Sequence, residues 1–242
     1  MQEAILIVKG LEPLSLSLAT LLIKDHLRPS IHIDNLNFLE EHKNLLPYAK
    51  KFDILNDPVS NFHVPQEDVK YIFIAIGTFL EKIFIDVTDD EIEKIYAINF
   101  LNPIRLLRKF YQDYHKPTHL VVIGSCSAWR MQKNQTIYTA IRSAQATFTR
   151  NLAPELVRDK PGSKITLVNL GGIKTPEMNG KLFGEDNQFM DHHIVAQMIL
   201  KKIKEQKEVY QETQIMRKKP IILGSPPLNI DGPSVPEIYH EK

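Results

Sequence analysis

A tyrosine and an arginine stand four residues apart in the segment "IYTAIRSAQATFTRNLAPEL", where Tyr138 precedes Arg142. Residues at this spacing lie on the same face of an α-helix, so the guanidinium would sit beside the phenol. A free phenol has a pKa of about 10, and a neighbouring cation favours its ionised form. Such a pair can exchange a proton with an alcohol or a carbonyl near neutral pH. Taken alone, however, it most often lies on an ordinary helix surface.

Other residues suited to a ligand site stand directly after predicted strands. The run "THLVVIGS" ends at Ser125, thirteen residues before Tyr138, and "SIHID" ends at Asp34. In an open parallel sheet the carboxyl ends of the strands meet at one edge, where ligands bind. The remaining strand ends carry glycines: Gly10, Gly77, Gly171 and Gly172. We therefore expect these residues to gather around one site.

Strands and helices alternate along the whole chain. Short β-branched runs predict strands at residues 4–8, 30–34, 51–55, 69–77, 118–125, 164–172 and 219–224. Longer patterns predict helices at 14–27, 39–50, 88–115, 138–157 and 191–207, while 201–219 reads as a solvated helix end and turn. Thr88 and Glu91 have capping-box spacing, Pro103 predicts a kink, and Asp191 is a candidate N-cap. This alternation predicts an α/β fold with a Rossmann-like, doubly wound parallel sheet in three α/β/α layers.

Composition and charge exclude several classes of protein. The formal net charge of the 242 residues is +1, which leaves no basic field for nucleic acid. A single cysteine, Cys126, rules out an intramolecular disulfide, and no cluster of residues suggests a metal. No apolar run approaches the length of a membrane helix, so we expect a cytoplasmic protein without a membrane partner. We predict one domain over residues 1–224 and a proline-rich, extended tail over 225–242.

The ordered set of residues resembles the short-chain dehydrogenase/reductase family. That family pairs Tyr with Lys four residues later, with a serine thirteen residues before the tyrosine and an asparagine on the preceding helix. Here Tyr138, Ser125 and Asn99 match, and Arg142 stands where the family has lysine. The resemblance implies that Tyr138 is the acid/base and that Ser125 binds the substrate oxygen. It also implies that Asn99 helps to hold a water and that Arg142 is the electrostatic substitute for lysine.

The same resemblance implies a nicotinamide cofactor, NAD or NADP. In "LGGIKTPEM", Gly171, Ile173 and Thr175 match the family's cofactor-binding segment, and Gly10 and Gly77 match glycines after two strands. Asp34 stands where an acidic side chain accepts hydrogen bonds from the adenosine ribose, which favours NAD. The glycine-rich loop after the first strand reads "KGLEPLSL" here. Leu14 and Leu16 replace two of its glycines, and we expect their side chains to obstruct the phosphates.

Two hypotheses about function follow from these residues. The first is an NAD(P)-dependent oxidoreductase acting on the carbonyl or secondary alcohol of a small, mostly apolar substrate. The second is a non-catalytic binding or regulatory protein that has kept the fold and lost the cofactor. The resemblance also implies a homodimer or homotetramer formed through helices near residues 92–113 and 138–157. The apolar character of the substrate rests on Trp129, Met131, Met178, Leu182, Phe183, Phe189 and Met190.

Overall fold

The fold is built on one parallel sheet with helices on both faces. A computed structural model describes residues 2–175, 189–216 and 238–240. Within these ranges the sheet has eight strands in the order β3-β2-β1-β4-β5-β6-β7-β8, and each neighbouring pair is parallel. The strands are β1 (Glu3–Lys9), β2 (Arg28–Ile33), β3 (Ala49–Lys51), β4 (Val69–Ile76), β5 (His119–Ser125), β6 (Lys164–Leu170), β7 (Tyr210–Met216) and β8 (Ile238–His240). The strand order reverses between β1 and β4, which confirms the predicted doubly wound fold.

Two hydrophobic clusters cover the two faces of the sheet. The helices are α1 (Glu12–Lys24), α2 (Asp89–Tyr96), α3 (Asn102–Asp113), α4 (Thr136–Asp159) and α5 (His192–Glu205). Along β1, Leu6 packs with the apolar faces of α1 and α5, whereas its neighbours Ile5 and Ile7 pack with α3 and α4. Successive strand residues point to opposite faces, so a strand covered on both sides is apolar at every position. None of the described helices is long and apolar enough to cross a membrane.

The long helical pattern at 88–115 is interrupted as Pro103 predicted. Thr88 caps α2 by accepting a hydrogen bond from the Glu91 amide, and the Glu91 side chain accepts one from the Thr88 amide. A π-helical turn, Ala97–Leu101, separates α2 from α3. Pro103 has no amide hydrogen to donate to the carbonyl of Asn99, four residues before it, so the regular ladder cannot continue there. Asn99 is therefore fully buried on a locally widened turn.

Two predictions between β2 and β4 are wrong in detail. The segment predicted as a helix at 39–50 contains the last residue of one 3-10 helix, Leu36–Leu39, and the whole of another, Lys43–Tyr48. Pro47 removes an amide donor from the second, and only Leu39 and Leu45 of these two turns are buried. Too little apolar surface is present to hold an amphipathic α-helix. The third strand is Ala49–Lys51, which overlaps the predicted 51–55 only at Lys51.

The strand β7 lies where a solvated turn was predicted. Its residues 211–214 are all polar, yet most of the strand is buried. Glu212 explains this, because its carboxylate accepts hydrogen bonds from the guanidinium of Arg150, the amide of Asn169 and the hydroxyl of Tyr210. From the sequence alone, a buried carboxylate with satisfied hydrogen bonds cannot be distinguished from an exposed one. The predicted strand at 219–224 lies outside the described residues, as does most of the 225–242 tail; within the tail, β8 pairs with β7.

Candidate functional site

A cavity opens at the carboxyl ends of the central strands, where the strand order reverses. It is bounded by residues that follow β1, β4, β5 and β6 and by the first turns of α4. Eight of the ten residues predicted for the site line it: Gly10, Gly77, Ser125, Tyr138, Arg142, Gly171, Ile173 and Thr175. Asn99 and Asp34 do not line it.

Gly10 and Gly77 form the part of the cavity wall where β1 and β4 end. The backbone of Gly10 has φ +76°, which L-residues with side chains rarely adopt. A Cβ atom on Gly10 would lie 2.6 Å from the carbonyl oxygen of Gly77. The amide of Gly77 donates to the carbonyl of Lys9 at 2.8 Å and fixes this approach. The two backbones thus meet in a cradle without side chains.

Arg142 is held beneath the phenol of Tyr138 by neutral groups. Its Nη1 donates to the carbonyl of Ile76 at 3.1 Å and to Oε1 of Gln145 at 2.8 Å. Its Cζ lies 5.2 Å from the centroid of the Tyr138 ring, a distance suited to a cation–π contact. Arg142 is only 3% exposed, and its Nε has no hydrogen-bond partner within the described part of the chain. The ring of Phe79 packs edge-on against Tyr138 and holds the phenol from the other side.

Ser125 ends β5, and Asn99 holds the loop that follows the neighbouring strand β4. The Oγ of Ser125 accepts a hydrogen bond from the amide of Ser127 at 3.1 Å and can still donate its own hydrogen. The Asn99 side chain pairs with the backbone of Thr78: its Oδ1 accepts from the Thr78 amide at 3.0 Å, and its Nδ2 donates to the Thr78 carbonyl at 2.9 Å. Asn99 therefore fixes the loop that begins at Gly77. Its place is beside the cavity wall rather than in the cavity.

The segment after β6 closes another side of the cavity. Ile173 pairs with Met190 in a short β-bridge, and the Met190 amide donates to the carbonyl of Gly172 at 3.0 Å. Met190 is fully buried. Of the apolar residues on which the prediction of an apolar substrate rests, Met178, Leu182 and Phe183 lie outside the described residues.

Asp34 is engaged by a lysine. The Nζ of Lys9 lies 2.5 Å from Oδ2 of Asp34 and 3.2 Å from Oδ1 of Asp53. Burial works against the charge of Lys9, but the hydrogen bond and charge of Asp34, with those of Asp53, outweigh it and raise the pKa of Lys9. Burial likewise opposes ionisation of Asp53, yet hydrogen bonds from Leu55, Asn56 and Lys9 lower its pKa. At the end of β2, the carboxylate expected to meet a ribose therefore neutralises a lysine.

A carboxylate also lies at the start of α1. Glu12 is 6% exposed, and its Oε1 accepts a hydrogen bond from the amide of Gly10 at 2.7 Å. The N-terminus of this helix is where a dinucleotide fold places the pyrophosphate. Leu14 and Leu16, expected to obstruct that position, instead belong to the core shared with α5. The side chain that lies at this helix start is therefore Glu12 and not either leucine.

Several residues of the cavity escaped the sequence reasoning. They come from the ends and loops of the same strands: Leu11, Phe79, Cys126, Ser127, Arg130, Gln132, Gln135 and Met216. Arg130 and Gln132 line the cavity, whereas their neighbours Trp129 and Met131 do not. The signal that could have found Arg130 is its position in the loop after β5, since such loops carry ligand contacts in this architecture.

The geometry defines an α/β protein with a ligand cavity at its topological switch point, and comparison with known proteins gives its family. A family model described as enoyl-(acyl carrier protein) reductase matches residues 63–215, which is more than half of the chain. The chain belongs to the short-chain dehydrogenase/reductase family of oxidoreductases.

Solved structures agree on the fold. A short-chain dehydrogenase/reductase from Vibrio parahaemolyticus has a TM-score of 0.75 at 18% identity, covering 90% of this chain and 98% of that one. An alcohol dehydrogenase from Thermococcus sibiricus, complexed with 5-hydroxy-NADP, has a TM-score of 0.71 at 15% identity, covering 91% of this chain and 100% of that one. At such identities the similarity concerns the fold alone.

Similarity to curated proteins is confined to a shorter segment. Two proteins of Staphylococcus aureus, strains N315 and Mu50, are each named as an uncharacterized oxidoreductase. Each is 31% identical to this chain over 91 residues, which is 38% of this chain and 38% of the relative. The chain thus matches well under half of the length of these relatives.

Proposed function

We propose that the protein is an NAD(P)-dependent oxidoreductase that acts on the carbonyl or secondary alcohol of a small, mostly apolar substrate. The observation that carries the proposal is that Ser125, Tyr138 and Arg142 line one cavity together with the Gly10–Gly77 cradle. Apolar side chains complete its wall, among them Leu11, Phe79, Leu170, Ile173 and Met216. A ring or short chain bound there would be removed from water, with the hydroxyls of Ser125 and Tyr138 beside its reacting oxygen.

Different residues at the cavity would have different roles in such a reaction. In the reducing direction Tyr138 donates a proton to the substrate oxygen, and in the oxidising direction its phenolate accepts one. The hydroxyl of Ser125 donates a hydrogen bond to the same oxygen and keeps it oriented. Arg142, held against the ring face by Ile76 and Gln145, places a permanent positive charge beside the Tyr138 ring. Asn99 acts indirectly by fixing the loop after Gly77.

The site fits a nicotinamide cofactor at the end where the chemistry lies. Gly10 and Gly77 line the cavity with backbone alone, and the buried Nε of Arg142 has no hydrogen-bond partner among the described residues. Gly10, Gly77, Ile173 and Thr175 would hold the nicotinamide half. When bound, that group supplies or accepts the hydride. Asp34 can meet an adenosine ribose only by sharing its carboxylate with Lys9, so the preference for NAD remains part of the proposal.

Glu12 is the observation that favours the second candidate, a non-catalytic binding protein. Its carboxylate already accepts the hydrogen bond of the Gly10 amide just before α1. Its negative charge would repel the pyrophosphate of a bound cofactor. We infer that Glu12 weakens cofactor binding. The two candidates are separated by one titration of the purified protein with NADH and, separately, with NADPH. Saturable binding supports the oxidoreductase, and no binding at millimolar cofactor leaves the binding protein.

We expect Glu12→Gln to bind NADH about tenfold more tightly than the unmodified chain. Glutamine keeps an oxygen that can accept from the Gly10 amide and removes the negative charge that faces the phosphates. The control is Asp25→Asn, which removes one negative charge at the other end of α1, roughly 20 Å away. Isothermal titration calorimetry measures both. An unchanged dissociation constant for Glu12→Gln would show that the carboxylate does not oppose the cofactor.

The oligomeric state and the location also remain proposals. We propose a cytoplasmic homodimer or homotetramer formed through the helical segments near residues 92–113 and 138–157. Exposed apolar side chains beside α2 support an interface: Ile83, Phe84, Ile85 and Tyr96. A monomeric sedimentation profile at micromolar protein would contradict the association.

A further inference from the structure

The charge of the cavity is unbalanced. Arg130 and Arg142 are the only charged side chains that line it within the described part of the chain, and neither is matched there by a carboxylate. Arg142 is hydrogen-bonded to a carbonyl and an amide oxygen, both neutral. A cation that is almost fully buried costs free energy unless an anion or several acceptors compensate it. The cavity therefore carries two positive charges that no described side chain in its wall offsets.

Arg130 is the more accessible of these two cations. It stands in the loop between β5 and α4, is only partly buried, and forms no ion pair with any residue between 2 and 175 or in the later described ranges. The charge of Arg130 acts on Cys126, which also lines the cavity. Burial raises the pKa of the Cys126 thiol to about 12, and the positive charge of Arg130 opposes that rise. Gln132 and Gln135 lie beside it in the wall and add neutral hydrogen-bonding groups.

The position of Arg130 separates it from the phosphates of a cofactor. A dinucleotide in this fold places its pyrophosphate at the start of the helix after β1 and its adenosine over β2. Arg130 follows β5, which is separated from β1 by β4. It therefore lies on the Ser125 side of the cavity, opposite Asp34 and Glu12. A cation at that place meets the substrate and not the adenosine half.

We propose that the substrate carries an anionic oxygen group, such as a carboxylate, that binds the guanidinium of Arg130. This inference rests on the proposed function and specifies its substrate class: a small molecule with an apolar body, a carbonyl or secondary hydroxyl beside Ser125 and Tyr138, and a negative end at Arg130. Arginine binds a carboxylate through two parallel hydrogen bonds, so it fixes orientation as well as charge. The apolar wall takes the body of such a substrate, and the guanidinium selects against neutral analogues.

A pair of isosteric probes tests the charge preference without catalysis. Benzoate and benzamide share an apolar ring and differ in charge, and the single tryptophan, Trp129, adjoins Arg130 and reports binding by its fluorescence. We expect benzoate to bind at least about tenfold more tightly than benzamide. Arg130→Gln should reduce that ratio to about one. Lys133→Gln removes a nearby exposed positive charge that does not line the cavity, and it should keep the full ratio.

The outcomes separate the inference from the proposed function. Equal binding of the two probes to the unmodified chain, or an undiminished ratio in Arg130→Gln, overturns the inference. A titration of the same variants with NADH distinguishes the source of the anion. If Arg130→Gln weakens NADH binding as much as benzoate binding, the arginine serves the cofactor's phosphates and the inference is wrong. If no variant binds NADH while the benzoate preference holds, the proposed function fails and the anion site stands.

Discussion

Replacing Tyr138 by phenylalanine is expected to lower turnover by about 10²- to 10⁴-fold, the range that general acid–base catalysis contributes. Phenylalanine keeps the ring that packs against Phe79 and lies over Arg142, so the fold and the cavity wall should persist. Only the proton donor is removed. Because the hydroxyl is not needed to hold the nicotinamide half, the dissociation constant for NADH should change by less than about threefold.

The control for this change is Tyr96→Phe. Tyr96 ends α2, is partly exposed and does not line the cavity, so removing its hydroxyl should leave turnover at the level of the unmodified chain. Steady-state rates with a carboxylate-bearing ketone and NADH or NADPH measure both variants. If Tyr138→Phe retains full turnover, Tyr138 is not the acid/base and the catalytic assignment is wrong.

Gly10→Ala is expected to have the largest effect on stability and on cofactor affinity together. The backbone conformation at φ +76° alone costs a residue with a side chain roughly 1–3 kcal/mol. The new Cβ would also lie 2.6 Å from the Gly77 carbonyl oxygen, and a backbone atom cannot swing aside. The ends of β1 and β4 must then move apart. We expect the dissociation constant for NADH to rise more than about tenfold, because both ends form the cavity wall.

Gly162→Ala separates the two causes. Gly162 has φ +92°, and a Cβ there would lie 3.6 Å from Pro117, an ordinary contact. This control carries the conformational cost without the clash. Chemical denaturation should therefore show Gly10→Ala losing at least about 2 kcal/mol more free energy of unfolding than Gly162→Ala. Equal losses would mean that the approach of the two strand ends is not tight.

The central strands and several helix ends could be predicted from the sequence because each depends on residues that are close together in the chain. The runs that became β1 and β4 consist mostly of apolar residues, as strands covered on both faces require, and β5 and β6 are apolar over part of their length. The capping box at Thr88, the break before Pro103 and the cap at Asp191 each depend on residues within a few positions. Strand-end positions then led to Ser125 and to the glycines of the cavity, since parallel strands bring their carboxyl ends together.

What the sequence could not supply are interactions between residues far apart in the chain. The pairing of Lys9 with Asp34 and Asp53 joins the ends of strands that come together only in the sheet. The strand β7 was misread because its buried Glu212 depends on Arg150, 62 residues away. Glu12 is only two residues from Gly10 in the sequence, but its hydrogen bond to the Gly10 amide depends on the turn that the chain makes there. The sequence alone therefore pointed to Leu14 and Leu16 as the obstructing side chains. The partners of charged side chains are therefore the part of such a site that is hardest to predict from the sequence.

The central claim is that the cavity binds the nicotinamide ring beside Ser125 and Tyr138. Saturation-transfer difference NMR on the protein with NADH tests it most directly, because the method detects weak binding and identifies which ligand protons touch the protein. We predict strong transfer to the nicotinamide-ring protons from methyl groups in the cavity wall, such as those of Leu11 and Ile173. Transfer confined to adenine protons, or none at millimolar NADH, would contradict the account.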